Sequence, residues 1–343
     1  PPPPLPGPPS RPGESLLTWN EKDGKAAGLM LVGDDDKTAI LVTQRAARVI
    51  DLNSQKVVRS AGEDQDHRLA AFARDGQRFV SSALGIDAKG KPTGGTIKFW
   101  DVNANKPLSY SQAHKAEITA LAIDSSAGRW GCSGDANGKI CLWDLQRADS
   151  SPAGQFDAHK GRVNCLAHFA GPMAGQSFLT SAGTDRCIRH WNLVGSPNPL
   201  EFKVHSNVTA LVHVGDGAQI VTGHEDGSVV VRYLGDVANA SPYGVDLSKE
   251  LQRLQTEDPV GPVVALALSP DGQRIIALHG PVKDGKDGGR GVIRAWYRGR
   301  PQQEPAVFTE HKGTPRAVAI SRDCKWLISA GDDYALRVWR LPD

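Results

Sequence analysis

No apolar run in this 343-residue chain exceeds the length of a strand. The longest, such as Val263 to Leu268, fall far short of the ~18–20 residues that a membrane-spanning helix needs, so direct membrane insertion is not expected. Neither sign of charge is in excess: 40 Lys plus Arg stand against 38 Asp plus Glu, a formal net charge of +2. Without a global positive field nothing collects a phosphate backbone, and a nucleic-acid partner is not expected. The phosphate-cradling Gly-Lys-Ser/Thr run is missing, and so is a glycine fingerprint opening a helix. His205, His213 and His224 contain no zinc-like helical pair, and Asp284-Gly-Lys-Asp287-Gly-Gly lacks the dense acids and terminal glutamate that calcium prefers. No metal and no other cofactor is expected.

Cysteine is scarce and odd in number, five in all. Cys132, Cys141, Cys165 and Cys187 fall in or beside apolar strand patterns, which suits small buried thiols in a reducing, cytoplasmic setting. Cys132 and Cys141 are the pair that could face each other across a hairpin centred on Ala136-Asn137. The first residue is proline, with no charged-then-apolar leader after it, so the chain is expected to be a monomeric domain of a larger protein.

What is abundant is turn material, 37 Gly and 23 Pro. Residues 1–14 open with PPPPLPGPPSRP, an extended, polyproline-like linker whose Pro6-x-x-Pro9-x-Arg11 has the spacing of a groove-docking motif. From Ser15 onward short apolar runs are broken every few residues by Asp-Gly, Asn-Gly or Gly-Asp, the mark of successive antiparallel hairpins. The ends of the third strands follow one another as Ile50, Trp100, Trp143, Trp191, Arg232, Trp296 and Trp339. The steps are 50, 43, 48, 41, 64 and 43 residues, and a unit of ~40–45 residues is the length of a four-stranded propeller blade. The expected fold is all-β: a single seven-bladed β-propeller of four-stranded antiparallel blades over residues 15–343, numbered one to seven from these markers.

A phrase repeats inside the blades. It reads His159, Ser181, Asp185, Trp191 in blade four and His311, Ser329, Asp333, Trp339 in blade seven. Blade three carries it as His114, Ser133, Asn137 and Trp143, and blade five as His205, Thr222 and Asp226, with Arg232 where tryptophan belongs. In blade six Asp258 stands roughly where the histidine should be. An indole N–H only donates, serine and neutral imidazole do both, and aspartate only accepts. The set can therefore run as a directional relay from Trp to Ser to His to Asp that stitches strands together. Ser, His and Asp also invite a hydrolase reading. A catalytic set is present once, beside an open cleft, whereas one copied with decay is structural, so no enzyme is expected.

Trp100-Asp101 and Trp143-Asp144, with the near variant Trp191-Asn192 and the turn Ser269-Pro270-Asp271-Gly272, carry a resemblance. From about Ser15 to Leu341 the chain resembles the Trp-Asp (WD) repeat β-propellers, in a bacterial-type multidomain form. That resemblance implies closure by an N-terminal strand completing the last blade. The seventh unit stops after its third strand, Ala335 to Leu341, and a lone strand candidate, Ser15 to Trp19, precedes the first unit.

From Ser81 to Trp100 is 19 steps, and from Ala277 to Trp296 is also 19, against 10 from Ser181 to Trp191. Blades two and six thus carry matched insertions between their second and third strands, with Lys89 and Lys91 in one and Lys283, Lys286 and Arg290 in the other. By resemblance this turn shares the face of the histidine loops, the one most often used for peptides and protein surfaces. On that face the resemblance sets Glu117, Arg162, Asn207 and Arg316 near the channel mouth, and Thr184, Glu225 and Asp332 just before the turn aspartate. The expected function is a non-enzymatic scaffold that binds a protein or peptide through Lys89, Lys91, Lys283, Lys286, Arg290, Arg162, Glu225, Asp332 and Arg316. Gly235 to Ser248 in blade five is a candidate on the opposite face. The alternatives are a regulatory or sensory module linked to a kinase, membrane anchor or coat domain, and, third, a propeller enzyme or metal sensor.

Overall fold

The structure, a computed structural model, describes residues 15–342 apart from 19–23, 33–35, 63–65, 74–75, 87–88, 90–91, 104–106, 108, 125–128, 147–150, 172–174, 195–197, 216, 235–248, 256–259, 283–289 and 301. The proline-rich segment, Trp19, Asp258, Asp284, Asp287 and the Gly235 to Ser248 connection lie outside the described residues. So do Lys91, Lys283 and Lys286.

Strands hydrogen-bond into seven four-stranded antiparallel sheets, the blades of a β-propeller, and no helix occurs among the described residues. Blades six, seven and one form one compact unit, residues 1–67 with 254–343, and blades two to five form a second, residues 68–253. In the first unit, blade seven consists of Pro315–Ile320, Trp326–Gly331 and Ala335–Arg340, and its fourth strand is Ser15–Thr18. Ser15 pairs with Arg337, Leu17 with Leu336 and Thr18 with Ala335. The N-terminal strand therefore completes the last blade and covers an edge that would otherwise present unpaired amides.

Burial follows strand order. In blade four every residue of the second strand, Ser177–Gly183, is buried, whereas the fourth strand, Leu200–Lys203, alternates toward solvent. The second strand has a neighbouring strand on each edge and a blade against its face, so it tolerates a continuous run of small and apolar residues. Within the second unit, Ala182 and Ile188 of blade four pack with Val208, Leu211 and Ile220 of blade five. Within the first, Leu29 and Leu41 of blade one pack with Ile328 and Leu336 of blade seven.

The first strand of most blades carries a β-bulge at its start. Register shifts fall at Thr119, Asn164, Thr209 and Arg316, among others. A bulge re-aims one side chain, and in blades three and four it is turned to the adjoining blade. The Thr119 hydroxyl donates to the Val163 carbonyl, and the Asn164 amide donates to the Val208 carbonyl at 3.0 Å.

One sequence expectation is corrected. The hairpin of blade three sets Cys132 opposite Leu142 and Cys141 opposite Ser133. Successive residues of a strand point to opposite faces, so the two thiols sit on opposite faces of the blade and cannot be bridged across it. Cys132 packs toward blade four and Cys141 toward blade two, and all five cysteines are free.

Deleting Ser15–Thr18 together with Trp19 is expected to lower the melting temperature by at least about 5 °C more than trimming Pro1 to Pro12. Differential scanning calorimetry of both truncations checks it. Equal melting temperatures would contradict the strand's role.

Candidate functional site

The repeated polar set, in the blades that carry it, assembles at the end where the segment before the first strand meets the turn between the second and third. In blade four the Trp191 indole donates to Ser181 Oγ at 2.9 Å. Ser181 Oγ lies 2.8 Å from His159 Nε2, and His159 Nδ1 lies 2.9 Å from Asp185 Oδ1. Blade seven repeats this with Trp339 to Ser329 at 2.8 Å, Ser329 to His311 at 2.7 Å and His311 to Asp333 at 2.8 Å. A neutral imidazole protonated on Nδ1 satisfies every step, because Nε2 is then free to accept the serine hydrogen. Each serine is spent between an indole and an imidazole inside the sheet, so its hydroxyl has no open side for a substrate.

Glycine makes room for the imidazole. A methyl group on Gly183 would stand 2.6 Å from His159 Nδ1, and one on Gly331 2.7 Å from His311 Nδ1. This position, two residues after the relay serine and on its side of the strand, is where the other blades diverge. In blade three it is Asp135, whose Oδ2 lies 2.9 Å from His114 Nδ1, while Ser133 and Trp143 close the chain at 2.7 and 2.8 Å. Asn137, the acid position by sequence spacing, instead donates its backbone N–H to Asp135 Oδ1 at 2.9 Å. The carboxylate thus enters from the strand and replaces the turn residue.

Blade five needs a larger correction. His205 is exposed, and the residue in register with His159 is the buried Val204. The imidazole comes from His224, again two residues after the relay hydroxyl: its Nε2 lies 3.0 Å from Thr222 Oγ1 and its Nδ1 donates to the Ser206 carbonyl at 3.2 Å. Asp226 serves the turn, accepting from the Ser228 N–H at 3.0 Å and its hydroxyl at 2.7 Å. Arg232, in the tryptophan position, lies over the Phe202 ring at 6.0 Å, as Trp191 lies on Phe156 at 4.6 Å and Trp339 on Phe308 at 5.1 Å. A cation over a ring replaces an aromatic pair, and Glu250 at 2.8 Å neutralises it. Blade six uses His279 in the same slot, donating to the Gly261 carbonyl at 3.2 Å. Blade two retains the Trp100 to Ser81 bond at 2.8 Å.

Arginines that no sequence motif marked hold the relay acids. Arg189 reaches Asp185 at 2.7 Å and Glu201 at 2.6 Å, and Arg337 reaches Asp333 at 2.9 Å. Burial alone would raise the Asp185 carboxyl, but hydrogen bonds from Arg189 and His159 outweigh it and bring it down to about 2. Asp333 is likewise held well below the ordinary carboxylate value by His311 and Arg337, against burial. Burial also lowers His159, and Asp185 offsets that only in part. A second histidine group lies in the interior of blades four and five, where Thr180 Oγ1 is 2.8 Å from His190 Nδ1 and 3.1 Å from His213 Nε2. Burial depresses His190 to about 4; burial, with the charges of His190 and His168, depresses His213 to about 3.

The described partner-binding candidates occupy the same end of their blades. Blade two's insertion continues the ladder between Arg78–Ile86 and Pro92–Asp101, through Leu84 opposite Gly95 and Gly85 opposite Gly94. It is a β-arm, with Ile86 60% exposed and Lys89 exposed at its tip. In blade six Arg290 is exposed just before Val292–Tyr297. Arg316 pairs with both oxygens of Asp332, at 2.9 and 2.8 Å, and Lys25 joins them at 3.4 Å. Arg316 is therefore not in register with Glu117, Arg162 and Asn207; Thr314 is, and Arg316 occupies the bulge two residues on. Glu117 takes Arg68 at 3.1 Å, and Glu225 takes the Asn207 amide at 2.9 Å. Arg162 is exposed. Among the described residues no group of three or more His, Cys, Asp or Glu side chains is arranged to hold a metal ion.

The family described as WD domain, G-beta repeat matches residues 105–144, 150–192, 198–231 and 302–340. Each stretch ends in blade three, four, five or seven and takes in the outer strand of the blade before it, so the sequence repeat is offset by one strand from the structural blade. The chain is thus a seven-bladed β-propeller that carries four matched WD repeats. It is 29% identical over 145 residues to a p21-activated protein kinase-interacting protein 1-like protein of Gallus gallus, covering 41% of this chain and 37% of that protein. It is 25% identical over 130 residues to mitochondrial division protein 1 of Aspergillus oryzae, 29% of this chain and 19% of that one. It is 28% identical over 97 residues to a guanine nucleotide-binding protein subunit beta of Oryza sativa subsp. indica, 27% and 24% respectively. The matches thus span little more than a third of these relatives, or less. They are animal, fungal and plant proteins, and the expected bacterial-type form is not borne out.

Two outcomes follow for the relay and the buried histidines. His159→Ala is expected to cost about 1–3 kcal/mol by leaving Ser181 and Asp185 short of a partner, whereas His205→Ala stays within about 0.5 kcal/mol. Urea denaturation of both variants measures the contrast. Because His190 and His213 titrate lower in the folded chain than the ~6.5 of an unfolded one, the unfolded state binds more protons below that value. Stability should therefore be level above pH 7 and fall as pH drops from about 6.5 toward 4, with Asp185 adding to the loss below about 4. His213→Leu, which places there the side chain that blade six has as Leu268, should flatten that slope; an unchanged slope would refute the assignment.

Proposed function

We propose that this chain is a non-enzymatic interaction scaffold that docks a protein or peptide on the loop ends of its blades. The observation that carries the reading is the division of labour at that end. The relay groups are buried and mutually satisfied, while Arg162 and Glu225 stand exposed on the turns beside them, Lys89 at the tip of the blade-two arm and Arg290 just before the third strand of blade six. Loops held by a rigid scaffold are where binding is concentrated. Arg316 and Asp332 contribute as a paired unit, and Lys91, Lys283 and Lys286 belong to the two insertions. The relatives support the choice: one is named as a kinase-interacting protein and another as a G-protein subunit. They favour a scaffold over a sensory module of a larger chain. Five free thiols suit the reducing cytoplasm proposed as its compartment.

Reversing Lys89, Lys91, Lys283 and Lys286 to glutamate is expected to abolish a partner recovered by affinity purification with the tagged chain, at an unchanged melting temperature. Retained capture would move the docking surface away from the two insertions.

A further inference from the structure

Three cations gather at the loop end of blade four, each placed there by the backbone. Lys160 and Arg162 precede the strand Val163–Ala170, and Arg186 lies in the turn after Ser177–Gly183. The Arg162 carbonyl accepts from the Thr184 N–H at 2.9 Å, and the Arg186 N–H donates to the Gly183 carbonyl at 3.1 Å, so both arginines flank one turn. The Lys160 N–H donates to Asp185 Oδ2 at 3.2 Å. Thr184 is exposed, and its hydroxyl sits over Gly161, where an added methyl group would be only 2.6 Å away. That hydroxyl therefore lies between the two cationic residues Lys160 and Arg162.

All three side chains are exposed, and among the described residues none has an acidic partner. The nearby acids are already engaged. Asp185 faces inward to His159 and Arg189, and Glu201 takes Arg189. Three other cations at this end are neutralised: Arg68 by Glu117, and Lys25 and Arg316 by Asp332. The corresponding positions are Lys115, Glu117 and Gly138 in blade three, His205, Asn207 and Gly227 in blade five, and Lys312, Thr314 and Tyr334 in blade seven. Blade four alone of these carries three cations. Arg186 also holds a left-handed backbone, φ 56°, where blades three and five have glycine.

We propose that this patch is the docking point for a short acidic segment, rich in Asp or Glu, of a protein partner. The inference rests on the scaffold reading above and adds the chemistry of what is bound. Guanidinium groups meet carboxylates two donors at a time, and the threonine hydroxyl supplies one more. Flanking charge selects against a long polyanion. Glu225 in blade five, bonded to a neutral amide, keeps its negative charge beside the patch, so a nucleic-acid strand running past blade four meets repulsion there while a short acidic segment ends before it.

The test is fluorescence anisotropy with a labelled Asp/Glu-rich peptide, its Asn/Gln counterpart and an oligothymidylate of similar length, against the full chain. The expected result is salt-sensitive binding of the acidic peptide alone, weakened at least about tenfold by combined Lys160→Glu, Arg162→Glu and Arg186→Glu at an unchanged melting temperature. Lys312→Glu, an exposed lysine of blade seven, should leave it intact. Should the triple reversal fail to fold, Arg162→Ala with Arg186→Ala serves as the milder variant. Equal binding of the neutral peptide, undiminished binding by the variants, or equal binding of oligothymidylate would overturn the proposal. If the purified partner is still lost on reversing the insertion lysines but binds the blade-four variant normally, the scaffold reading stands and this docking point does not.

Discussion

A serine hydroxyl on the second strand, lying between an indole that can only donate and an imidazole whose Nε2 accepts, ties the third strand of a blade to the segment before its first. Ser181 and Ser329 do this at 2.7–2.9 Å on each side. The imidazole's other nitrogen passes the constraint to Asp185 or Asp333, and those carboxylates are in turn fixed by Arg189 and Arg337. One unbroken chain of donors and acceptors thus spans three strands and two loops. In a low-dielectric interior such a chain is stiff when complete and costly when any member is missing. The arrangement fixes the conformation of the surrounding turns, and with them the direction in which Arg162, Thr184 and Arg186 project.

The decayed blades keep that constraint while changing its parts. Two residues after the relay hydroxyl lies a slot that faces the same way, occupied by Gly183 and Gly331 where the imidazole arrives from the preceding segment. In blade three Asp135 uses the slot to deliver the acid, and in blade five His224 uses it to deliver the imidazole itself. Arg232 takes the place of tryptophan on the outer phenylalanine of the neighbouring blade, with Glu250 compensating its charge. Loss of a signature residue is therefore not loss of the joint.

The architecture was legible because its signals are local and repeated: strand periodicity, tight-turn dipeptides and a marker about every 45 residues. The lone Ser15–Thr18 strand was legible for the same reason, since a seventh unit with three strands needs a fourth. The substitutes were harder to see. His205 sits one residue from the relay position and looks equivalent in a linear alignment, but the register of Val208 with His224 turns it to solvent. Arg316 is displaced similarly, by counting along a loop rather than across a sheet, whereas Asn137 holds the expected position and yields its role to Asp135. Two-residue alternation from Ser133 and Thr222 points to Asp135 and His224, and would have found both.

Position on the blade also separates what can bind from what cannot. A polar side chain in the relay is saturated by its neighbours and offers a partner no hydrogen bond without breaking the joint. A polar side chain on the adjoining turn has the same rigid support and keeps its capacity. Where that turn residue is matched by an opposite charge nearby, as in Arg68 with Glu117, most of its electrostatic reach is cancelled. Blade four combines a complete relay and an arginine-clamped acid, which blade seven also has, with three exposed cations that have no acidic partner among the described residues. Preorganised, unneutralised donors lose the least freedom when a ligand arrives, and this is the physical ground for the docking point proposed beside the intact joint.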